Sequence, residues 1–86
     1  MLAKFLEDGD KRLDETYDFE VQMVNYDGEI VVIEWEEETT FNKVFDGLEK
    51  RYGSFDVSVL DYGDELQAMI TLHRESVKHS FRVIMA

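Results

Sequence analysis

The chain contains neither cysteine nor proline in its 86 residues, has only five glycines, and sets nine basic side chains against twenty acidic ones. Without thiols there are no disulfide staples and no thiolate metal sites, so packing alone must hold the fold. That suits a cytoplasmic location, which is the expectation here. Without proline, no pyrrolidine ring interrupts a helix or removes a donor from a sheet. No apolar run approaches the length of a membrane span, and the N-terminus has no basic stretch followed by a long apolar one. The shortage of positive charge leaves a net charge of -11. Such a charge repels nucleic acid and anionic membranes and favours a basic partner. Direct nucleic-acid binding also needs a basic patch for the phosphates, and the outer positions Arg74, Lys78 and Arg82 make only a small one.

What is present suffices for one folded domain covering residues 1–86. Hydrophobic residues make up 44% and aromatics 13% of the chain, enough for a single core and too much for a disordered one. The acid is unevenly spread. Residues 1–66 carry 19 acidic and 6 basic side chains, whereas residues 67–86 carry 1 and 3.

Periodicity sets out the elements. Residues 2–8 suit a short helix, with Leu2, Phe5 and Leu6 on one side and Gly9 as a stop. Residues 10–16 are polar and irregular. Residues 17–25 and 29–36 alternate as two strands of a hairpin around Asp27-Gly28. Residues 40–52 make the clearest helix, with Phe41, Val44, Phe45, Leu48 and Tyr52 on one stripe. Thr39 or Thr40 serves as its N-cap, Lys50 and Arg51 sit at its negative end, and Gly53 ends it. Residues 55–60, 66–72 and 77–85 are three further strands, joined by short loops at 61–65 and 73–76. The fold class is therefore α+β: a mostly antiparallel sheet in the order (α)-β-β-α-β-β-β, with one main helix packed on one face.

Turn geometry decides which residues share a face of the first hairpin. A two-residue loop at Asp27-Gly28 sets Val21 across from Glu34 and Phe19 across from Glu36, mixing apolar and acidic faces. A three-residue loop, Tyr26-Asp27-Gly28 with Gly28 left-handed, shifts the register by one. It pairs Met23 with Val31, Val21 with Ile33 and Phe19 with Trp35, making one face wholly apolar, and this register is the one expected. The other face then carries Glu20 across from Glu34, Asp18 across from Glu36, Gln22 across from Val32 and Val24 across from Ile30. Opposed like charges are destabilising. A local cost without visible compensation is a marker of a functional site.

The order hairpin, helix, strands over residues 17–72 resembles the β-grasp arrangement of ubiquitin-like and PB1 domains; the additional strand at 77–85 departs from it. That resemblance implies a protein-interaction adaptor working through its sheet or an edge strand.

Catalytic signals are few. His73 lies near a turn and His79 shares the alternation of Val77 and Phe81. No nucleophile elbow, zinc-protease or phosphate-loop pattern occurs. Asp8-Gly9-Asp10 lacks the remaining spacing of a calcium loop. The expectation is a non-enzymatic protein without cofactor or metal. The acidic residues Asp18, Glu20, Glu34, Glu36, Glu37 and Glu38 are candidate partner-binding groups. Residues two apart on a strand lie roughly 6–7 Å from one another, so on one face they form rows of negative charge that imitate a phosphate backbone. Val24, Ile30 and Val32 share that face, either exposed as an interface core or covered by Leu2, Phe5 and Leu6. The partner expected is a basic protein surface such as a nucleic-acid-binding enzyme. Small acidic inhibitors from phages and mobile elements, with anti-defence roles, are similar in size and charge. Homodimerisation through the sheet edge or this patch is a further possibility.

Overall fold

In the computed structural model, described for residues 4–7, 9–24, 27–72 and 80–86, six strands form one sheet covered on one face by a single helix. The elements are β1 (Lys4–Phe5), a 3-10 turn (Lys11–Asp14), β2 (Tyr17–Val24), β3 (Ile30–Thr39), α1 (Phe41–Tyr52), β4 (Phe55–Asp61), β5 (Leu66–Leu72) and β6 (Ser80–Met85). The sheet order is β1-β4-β5-β6-β2-β3, antiparallel at each pairing. The α+β class, the hairpin-helix-meander order and the helix on one face stand as read from the chain.

The helix begins where its cap chemistry places it. The Thr40 hydroxyl accepts the Lys43 amide at 3.2 Å, and Gly53, at φ +90°, donates its N–H to the Glu49 carbonyl at 2.9 Å. Phe41, Val44 and Leu48 are buried, with Phe45 and Tyr52 packed at the margin. Across from them the sheet contributes Phe19, Val21, Val59, Leu66, Ala68, Ile70, Phe81 and Val83. The rings of Phe19 and Phe41 meet edge to face at 4.5 Å, locking helix to sheet.

The first segment differs from expectation. The pattern of residues 2–8 suits a helix, but Lys4 and Phe5 form a strand paired with Asp61 and Leu60, and the Leu6 amide donates to the Val59 carbonyl at 2.7 Å. Hydrogen-bonding partners on the edge of β4 outweigh the propensity of so short a helix. Asp10 caps the 3-10 turn, accepting the Arg12 amide at 2.9 Å. Arg12 also spans from Asp10 (3.1 Å) to Asp61 (3.0 Å), tying this segment to β4. The Asp10 carboxyl is accordingly held below the usual range, first by its hydrogen bond from the Arg12 side chain.

Candidate functional site

The hairpin β2-β3 carries the candidate site, and its register combines both readings of the turn. Close to the turn, Val24 pairs with Ile30, Met23 with Val31 and Gln22 with Val32, as the three-residue loop requires. Gly28 takes φ +76°, the left-handed conformation expected of it. Asn25 and Tyr26 lie outside the described residues, as do His73 to His79.

Beyond Val32 the register shifts. Val21 pairs with Glu34, Glu20 with Trp35 and Phe19 with Glu36. Ile33 is the extra residue of a β-bulge and packs against the core. The opposed pairs Glu20/Glu34 and Asp18/Glu36 are therefore not formed. This corrects the expected acidic face: Glu34 and Glu36 lie on the helix side with Val21 and Phe19, while Trp35 turns to the outer face. The physical reason is the cost that the unbroken register carries. Two carboxylate pairs would oppose each other across the strands; the inserted residue sets Trp35 rather than Glu34 across from Glu20 and brings Asp18 opposite the Glu37-Glu38 bulge, where it accepts the Glu38 amide.

A second bulge follows at Glu37-Glu38, between the pairs Phe19/Glu36 and Tyr17/Thr39. Glu38 has φ +49°, in the left-handed region that a side chain enters at a cost. The Asp18 carboxylate accepts the Glu38 amide at 2.9 Å and holds that conformation.

On the helix side, Glu34 and Glu36 line a small cleft of about 50 Å³ with Thr39, Lys43, Val44, Gly47, Leu48 and Arg51. Arg51, in the last helical turn, grips Glu34 with both guanidinium nitrogens, one of them at 2.7 Å. The guanidinium holds the Glu34 carboxyl below the usual range. Glu36 is pushed up, first by sharing a hydrogen bond with Glu34 and then by partial burial. Sequence reasoning assigned Arg51 to the helix dipole alone; the signal missed was an arginine on a helix that packs over an acidic strand.

Among the described residues no helix covers the outer sheet face. Register places Ile30, Val32 and Trp35 of β3 there, with Val24, Gln22 and Glu20 of β2, Arg82 and Ile84 of β6, and Met69 of β5. Trp35 is 63% exposed, Ile30 51% and Val32 41%. Val24 is half-buried between its neighbours. Of the residues expected to cover this face, Leu2 lies outside the described residues, Phe5 is exposed on β1 at the opposite edge of the sheet, and Leu6 packs against the helix-side core. The Glu20 carboxylate accepts a hydrogen bond from Gln22, and Arg82 donates to Gln67 at 3.1 Å while its buried Nε has no acceptor among the described residues. Asp18, Glu37 and Glu38 are exposed at the far end of the hairpin. The arrangement is an apolar centre of Val24, Ile30, Val32 and Trp35, with carboxylates at one end.

A larger cleft of about 310 Å³ lies between the N-terminal segment, α1 and β4, lined by Leu6, Leu13, Phe45, Val57 and Val59 among others. Among the described residues no three His, Asp or Glu side chains are grouped to hold a metal ion, and no helix is long and apolar enough to cross a membrane. No family model, curated protein or solved structure matches the chain.

Proposed function

We propose that this chain is a non-enzymatic, cytoplasmic protein-binding module that meets a basic protein surface with the hairpin β2-β3. In this reading it is an inhibitor or decoy of a nucleic-acid-binding enzyme. The supporting observation is the exposed apolar centre around Trp35 bordered by Asp18, Glu20, Glu37 and Glu38, on a chain of net charge -11. An apolar core with a charged margin is the anatomy of a protein interface. Tryptophan, here at the acidic end of the apolar row, is among the residue types that most often anchor one. The acidic margin steers a basic partner into contact and makes the encounter salt-dependent.

The test is capture of partners from cell extract on the immobilised chain, eluted with rising salt or with duplex DNA. A nucleic-acid-binding protein displaced by both, and lost when Glu20 and Glu37 are changed to Lys, is the expected result. A partner indifferent to salt and DNA but lost on Trp35→Ala points instead to an adaptor held by apolar contacts. The exposure of Trp35 serves both readings, so the response to salt and DNA is what separates them. The split of the four carboxylates between two faces removes the paired rows on which strict phosphate mimicry would rest.

A further inference from the structure

We infer that the outer edge of β3 accepts an added β-strand from its partner, and that this strand is apolar along one half and rich in Lys or Arg along the other. The inference rests on the basic-partner reading above and specifies how that partner is held. β3 ends the sheet order, so among the described residues no strand pairs with its far side. It is also the longest strand, at ten residues, whereas the opposite edge ends in the two-residue β1. Natural edge strands are usually kept from pairing by lysine, by proline, by bulges or by short length. The β3 sequence IVVIEWEEET has no lysine or proline, and its first three residues lie ahead of the first bulge. Ile30, Val31 and Val32 are 51%, 40% and 41% exposed, so this stretch of the edge is apolar on both faces of the sheet.

Charge decides the occupant. A second copy pairing antiparallel about the centre of Val31-Val32 would set Glu29 across from Glu34. Pairing centred on Ile33 would set Val32 across from Glu34 and Ile30 across from Glu36. Either register opposes like charges or buries carboxylates against apolar groups, and each copy carries a net charge of -11. A different strand avoids both faults by placing Val, Ile or Thr beside residues 30–33 and Lys or Arg beside Glu34 to Glu37. Main-chain hydrogen bonds then supply affinity, and the side chains supply selectivity.

The test uses a short synthetic peptide of that pattern and two versions of it N-methylated on alternate residues in opposite phases. Trp35, the sole tryptophan, reports binding by fluorescence. In an added strand, alternate amides face β3. One phase should therefore bind like the parent, and the other should lose about tenfold or more in affinity, since two or three hydrogen bonds of about 1 kcal/mol each are removed. Val32→Lys, at an exposed position and checked for folding by circular dichroism, should weaken the parent peptide similarly. Equal binding of both phases, or no saturable signal from the parent, overturns the edge pairing. If the equal binding still weakens with salt, the basic-partner reading survives that loss. Phase-dependent binding that ignores salt overturns the basic half and the proposed function with it. Concentration-dependent dimerisation abolished by Val32→Lys would make a second copy the occupant and overturn the inference.

Discussion

Trp35 separates the bulged register from the continuous one by an amount that denaturation can measure. In a continuous register Trp35 would lie across from Phe19 in the core, and Trp35→Ala would cost the 3–5 kcal/mol typical of large aromatic deletions there. In the structure Trp35 is 63% exposed, so little more than a third of its surface is hidden. A fully buried tryptophan hides up to roughly 250 Å². A third of that area, at about 25 cal/mol per Å², gives about 2 kcal/mol as a ceiling. The surface that alanine still covers and the partial compactness of the unfolded chain bring the expected loss to about 1 kcal/mol. Urea denaturation followed by far-ultraviolet circular dichroism gives the difference directly. Trp35 emission in the unaltered chain should be red-shifted and readily quenched by acrylamide, a neutral quencher that the negative charge does not repel. A loss of 3 kcal/mol or more, or a blue-shifted emission shielded from acrylamide, would place Trp35 inside and refute the bulge at Ile33.

Three further substitutions follow from the same hairpin and the helix above it. Because the shared hydrogen bond with Glu34 and partial burial raise the Glu36 carboxyl from its ordinary value, its ionised form opposes folding; Glu36→Gln should raise the urea midpoint at neutral pH. That gain should vanish as the pH falls through the carboxyl range, where the unaltered Glu36 takes up its proton. Glu34 has the opposite sign: its lowered value stabilises the fold above the ordinary carboxyl range and loses that effect in acid, so the pH profile of urea midpoints separates the two. Glu38→Gly should raise stability by about 0.5–1 kcal/mol by relieving φ +49°, provided the amide still reaches Asp18, as measured by the urea midpoint. Gly47→Ala should gain about 0.8 kcal/mol in thermal or urea unfolding, since a Cβ there meets nothing within 4 Å in mid-helix.

The helix and the meander were legible because their signals are local and agree. Thr40, the Phe41-Val44-Leu48 stripe and Gly53 all point to the same boundaries. The even residues of β5 and, in β4, Phe55 and Val59 face the core as alternation demands. Strand β3 was harder because its two halves obey different registers, and each alone is a consistent reading. Near the turn, Val24, Ile30 and Val32 stand on the outer face as read. Past Ile33, Glu34 and Glu36 cross to the helix side. Alternation cannot reveal a bulge, because an inserted residue changes the phase without altering the composition on either side. The clue lay in energetics: an unbroken strand opposes carboxylates twice, and a basic helix end at Arg51 stood ready to take one of them. Residues 2–8 failed for a different reason. A period that suits one helical turn suits two residues of strand equally well, and the open edge of β4 decided between them.

Hydrogen exchange on the chain alone and bound to its captured partner tests most directly whether β2-β3 is the interface. Binding should slow exchange at the amides of residues 30–38, and leave the outward positions of α1, Asn42, Asp46, Glu49 and Lys50, unchanged. Protection over α1 with residues 30–38 unaffected would contradict the account and move the interface to the opposite side of the molecule.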